Sequence, residues 1–129
     1  MLYAIFCYHS EAEVNTWSKE KDDAVIAQRG AVQRKLAERG KLGPVVRLMP
    51  TTAAVTVRAG RQPVVLDGPF AETKEALLGF YVVDCGSLEE VIDVAREMLC
   101  ETGSFEIRPV RTFKPSPMGL EQGGSGGAP

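Results

Sequence analysis

A chain of 129 residues that is 44% hydrophobic and 25% charged can bury one core but not two, so a single domain is expected. Its 15 basic and 17 acidic residues leave a net charge of -2, and no Lys/Arg block marks a footprint for nucleic acid, which is not an expected partner. No run of about 18 apolar residues is present to span a bilayer, and the opening MLYAIFCYHSEAE lacks the basic stretch and cleavage site of a secretory leader, so a cytoplasmic location without membrane attachment is expected.

Taken in chain order, LYAIFCYH, Leu2 to His9, is rich in aromatic and β-branched residues and predicts a strand. Ser10 to Glu13 has the S-x-x-E form of a capping box, and Ser18 offers a second start for one long helix. Val25, Val32 and Leu36 recur at helical spacing, with Ala24, Gln28, Ala31 and Lys35 around them, until Gly40 supplies a C-cap. PVVRLM and AAVTVRAG follow as short extended segments joined through Pro50-Thr51-Thr52, then PVVLD, with a hairpin turn predicted at Arg58 to Gln62. ALLGFYVVDC, Ala76 to Cys85, is the most hydrophobic run and predicts a central strand.

Ser87 to Glu90 repeats the capping box, and Leu88, Val91, Ile92, Ala95, Met98 and Leu99 form the apolar face of a second helix. After Gly103, SFEIRPVRTF alternates Phe105 and Ile107 with Glu106 and Arg108, a strand that Pro109 places at an edge or bends. The domain is expected to occupy residues 1–114, and the Gly-rich tail, 115–129, has nothing to bury and is expected to be disordered. This order predicts an α+β, ferredoxin-like sandwich: an antiparallel sheet with two helices on one face and an extra hairpin. The apolar residues on both sides of Leu77 to Val83 ask for cover on the second face as well. A second copy meeting it sheet to sheet is the simplest cover, so a homodimer is expected.

The unusual stretch is DGPFAETKE, Asp67 to Glu75, too long and too charged for a simple hairpin turn. Gly68 accepts positive φ and Pro69 fixes the next φ, so the loop is rigid, with Phe70 expected to anchor in the core. Two readings stand for Asp67: a turn residue bonded to nearby amides, or a carboxylate aimed into a cleft, where it serves as a catalytic base. Glu72 and Lys74 on the same loop, Phe70, Tyr81 on the central strand and Arg108 on the last are the expected substrate contacts, against the plainer readings of packing and surface ion pairs. His9, the only histidine, is the one side chain whose ordinary titration falls near neutrality and the second catalytic candidate, against a structural role at a strand end. One histidine and three scattered cysteines, Cys7, Cys85 and Cys100, make no metal constellation, and no cofactor motif is visible. The cysteines in apolar runs read as small buried hydrophobes.

DGPFAETKE, followed by LLGFYVVD and FEIRPV and preceded by LAERGKL, resembles the DGPF group of the YCII-related proteins from about Met1 to Thr112. The resemblance implies a ferredoxin-like protomer that dimerises through its sheets into an α/β barrel. It also implies a link to extracytoplasmic-function sigma factors and, through a dehydrochlorinase of the wider superfamily, a His-Asp pair. By ungapped alignment the superfamily's helix histidine falls near Gln28, which takes up no proton. Two function classes follow: a small-molecule acid-base enzyme of lyase, isomerase or dehydrochlorinase type with a pocket near the DGPF loop, or a non-catalytic ligand-binding or regulatory module.

Overall fold

The computed structural model describes residues 1–115; the expectation for the tail falls, beyond its first residue, outside them. The elements are β1 (Leu2–His9), α1 (Glu11–Val14), α2 (Lys19–Glu38), β2 (Leu42–Arg47), a 3-10 turn at Thr51–Ala53, β3 (Val55–Arg58), β4 (Val64–Asp67), β5 (Ala76–Asp84), α3 (Leu88–Met98) and β6 (Ser104–Pro109). Both candidate helix starts are used. Ser10 accepts from the Glu13 amide and opens α1, and Ser18 accepts from the Lys21 amide and opens α2. The single long helix of the sequence reading is therefore broken between Asn15 and Ser18, because each serine satisfies its own set of free amides. Ser87 caps α3 in the same way, through the Glu90 amide.

The four-stranded sheet has the order β2-β5-β1-β6, every neighbouring pair antiparallel, with β1 and β5 at its centre. This is the ferredoxin-like arrangement. Alternate residues of β1 (Tyr3, Ile5, Cys7 and His9) are buried under the helices. Ile5 and Val83 meet Val32 and Leu36 of α2 and Val91, Val94 and Met98 of α3 in one cluster. Ile5, Val83, Val91 and Met98 are at most 1% exposed, and burying each stabilises the fold by about 1.5–3 kcal/mol. Lys41 pairs with Glu90 and ties the start of β2 to α3. That hydrogen bond, helped by the Gly86 amide, holds the Glu90 carboxyl below its usual range.

On the second face Phe6 and Phe80 stand opposite each other, ring centroids 6.0 Å apart. Glu106 faces Phe6 and Arg108 faces Ala4 across the β1–β6 ladder, so the polar side of β6 lies on this face too. β6 is an edge strand and ends at Pro109.

Among the described residues β3 and β4 pair only with each other. The Gly68 amide donates to Ala54 O at 2.8 Å and the Thr56 hydroxyl to Gly68 O at 2.8 Å, which pins the end of the hairpin. Phe70 does not anchor in the core: it is 76% exposed, with the Arg58 guanidinium 5.6 Å from its ring centre. The physical reason is the hairpin's isolation, since a loop leaving a two-stranded ribbon outside the main sheet has no core within reach.

Candidate functional site: the cleft between the first long helix and the sheet

Only Val32 and Leu36 of α2 are buried, both in its second half. Below its first half a cleft of about 220 Å³ remains between helix and sheet. Cys7, Val45, Gly79 and Tyr81 form its floor, and Trp17, Val25 and Ile26 form an apolar rim. Gly79 puts no side chain on that floor, and so lets the Val46 carbonyl of β2 come close to the β5 backbone.

His9 lines this cleft at the end of β1 and is 4% exposed. Its Nε2 lies 2.7 Å from Thr102 Oγ1, and the Thr102 hydroxyl donates to Glu13 Oε1 at 2.8 Å. An ionised carboxylate only accepts, so the single hydroxyl proton points to Glu13 and the hydroxyl oxygen accepts from His9 Nε2–H. Nδ1 then carries the ring's lone pair, and no protein group bonds it among the described residues. The ring is held from two sides. Trp17 packs on it at 5.1 Å between centroids, and the backbone at Gly103, with φ 93°, comes so close that a β-carbon there would meet the imidazole.

Arg29 enters from α2. Its Nε donates to Met98 O at 3.4 Å, its Nη1 to Cys7 Sγ at 3.6 Å and its Nη2 to Cys100 Sγ at 3.7 Å, and the guanidinium lies 5.3 Å from the Phe105 ring centre. Burial pushes the Tyr81 phenol up, with Arg29 and Gln33 beside it pulling the other way. Burial likewise raises the Cys7 thiol against the opposing pull of Arg29, which keeps it protonated and a poor nucleophile. Among the described residues, the Trp17 indole N–H is buried without an acceptor, no three of His, Cys, Asp and Glu are grouped to hold a metal ion, and no helix is long and apolar enough to cross a membrane.

The family model for the YCII-related domain matches residues 1–114. The chain belongs to the YCII-related family. It is also 55% identical over 119 residues to an uncharacterised protein of Rhizobium meliloti (strain 1021), an alignment covering 89% of this chain and 96% of that one.

Of the residues singled out in the sequence of this YCII-related protein, the cleft brings together His9 and Tyr81. Asp67, Phe70, Glu72 and Lys74 are exposed at the end of the hairpin and in the loop after it, and none lines the cleft. Arg108 is exposed on the second face of the sheet. Gln28 also stays outside, donating to Glu97 O at 2.8 Å and Leu99 O at 3.2 Å, where it satisfies carbonyls at the end of α3. Sequence reasoning missed Glu13, Trp17, Arg29, Gln33 and Thr102. A signal for Arg29 was present: Val25, Arg29, Val32 and Leu36 fall at spacings of four, three and four. A guanidinium in the middle of an apolar helix stripe is placed there for a reason other than solvation.

Proposed function

We propose that this YCII-related protein is an acid-base enzyme acting on a small molecule, of the lyase, isomerase or dehydrochlorinase type. The cleft under α2 is its site, His9 its proton carrier and Tyr81 an assisting phenol. The observation that carries this reading is the His9–Thr102–Glu13 chain, which fixes Nε2 as the donor and leaves Nδ1 of a buried imidazole to take a proton. Of the two proton carriers that the sequence offers, His9 is favoured over Asp67, which is exposed and away from the cleft. The test needs no known substrate. Because His9 is the only histidine, nitrogen-15 NMR reads a single imidazole; the expected neutral form carries its proton on Nε2, and a proton on Nδ1 removes the base. Deuterium exchange into small cyclic ketones and carboxylates then reports proton abstraction. Absence of exchange across such a panel supports the non-catalytic alternative, a ligand-binding or regulatory module with an extracytoplasmic-function sigma factor as partner.

The same reading includes a sheet-to-sheet homodimer closing an α/β barrel. What supports it is the half-buried Phe6 and Phe80 on the uncovered face, together with Val55, Val57, Val64 and Val65 of the hairpin, each at least 49% exposed. Sedimentation equilibrium at micromolar concentration is expected to give twice the 14.0 kDa chain mass; a monomer removes the barrel.

A further inference from the structure

The polar groups around the cleft are unevenly matched. Arg29 and Arg47 line it against one carboxylate, Asp22. Arg29 has no carboxylate partner among the described residues; its guanidinium reaches one carbonyl and two thiol sulfurs, all at 3.4 Å or more, and lies beside the Tyr81 phenol. Thiols are weak acceptors, so the guanidinium's donors are poorly satisfied while it is half withdrawn from water. The Trp17 indole, a donor and never an acceptor, is likewise without a partner. A site that presents donors and a partly desolvated cation is matched by a ligand that brings acceptors and a negative charge.

The rest of the wall states the body of that ligand. Trp17, Val25, Ile26, Val45 and Leu78 offer apolar surface, and the indole and imidazole offer ring edges and faces. An apolar cavity of about 150 Å³ is enough for a benzene ring, so 220 Å³ leaves room for one ring and a small charged substituent.

We infer that the cleft is an anion site for a small carboxylate carried on a flat, ring-sized apolar body, with Arg29 as its counter-ion. This rests on the reading of the same cleft as the functional site, and names its substrate class. Held by Arg29 on the α2 side, such a molecule has its ring between the floor and Trp17, and His9 at the end of β1 is the proton carrier that shares the cleft with it. Arg29 is then a specificity-determining residue: it selects the anion over its neutral analogue and leaves the proton chemistry to His9.

Trp17 is the only tryptophan, so its fluorescence reports occupancy, with ligand-observed NMR as the second readout. Benzoate and cyclohex-1-ene-carboxylate are expected to saturate, and benzamide to bind at least about tenfold more weakly. Arg29→Met is expected to reduce benzoate to the level of benzamide, with circular dichroism establishing that the variant is folded. If that variant does not fold, the comparison of benzoate with benzamide on the unaltered protein still decides. His9→Gln is expected to keep benzoate binding while losing proton exchange, so the two assignments fail separately. Exchange of neutral ketones with no affinity for carboxylates sinks the anion assignment alone. No saturation by either carboxylate up to about 10 mM, equal binding of benzamide, or a folded Arg29→Met with unchanged benzoate affinity overturns it.

Discussion

Exchanging His9 for glutamine is expected to lower any proton-transfer rate by about two to four orders of magnitude, the range that a positioned general base contributes. Glutamine is the informative replacement because its amide nitrogen sits close to where Nε2 was and can still donate to Thr102, keeping the Thr102–Glu13 bond in place. What it removes is the lone pair on Nδ1. The packing of the imidazole on Trp17 is also lost, which costs about 0.5–1.5 kcal/mol, a modest fraction of a small domain's stability of about 5–15 kcal/mol. Activity should therefore collapse while the melting temperature falls by only a few degrees. A folded His9→Gln protein with undiminished turnover would exclude His9 from the chemistry. A protein that unfolds would instead assign the His9–Thr102–Glu13 chain to structure.

Replacing Gly79 by alanine is expected to be the most damaging single-methyl addition in the sheet. A β-carbon there would lie inside the van der Waals contact of the Val46 carbonyl oxygen and 3.3 Å from the Arg47 α-carbon. Both obstacles are backbone of β2, which pairs with β5 at this point through Arg47 and Gly79, so no side-chain rotation relieves the overlap. Forcing a methyl into such a contact costs about 3 kcal/mol or more, on the order of a 10 °C fall in melting temperature for a domain of this size. The same methyl would raise the floor of the cleft, so carboxylate binding should weaken in parallel. Gly30, on the α2 wall of the same cleft, is the control: among the described residues nothing lies within 4 Å of its β-carbon position, and alanine in a helix interior is favoured by about 1 kcal/mol. Thermal denaturation of the two variants side by side should move in opposite directions. A Gly79→Ala protein that melts with the parent would show that β2 yields at this point.

The sequence by itself determined the features that are set locally. Ser10, Ser18 and Ser87 mark helix starts because a hydroxyl meets amides only three residues away, and the alternation in Ser104 to Pro109 marks an edge strand for reasons contained in that strand. The element order then leaves few ways to build a sheet, and the ferredoxin-like topology followed. Family membership was legible for a similar reason, since DGPFAETKE is a contiguous string. Where its charges and Phe70 end up was not legible in that string: among the described residues they lie on, or just after, a hairpin whose two strands pair with each other, and Phe70 stays exposed. The cleft was decided only by tertiary structure. His9, Trp17, Arg29, Thr102 and Tyr81 are scattered over nearly a hundred positions, and they meet because Val32 and Leu36 pack into the core and turn that stripe of α2 toward the sheet. Local hydrogen bonding fixes where an element begins, but the face it presents is chosen by the core it packs against.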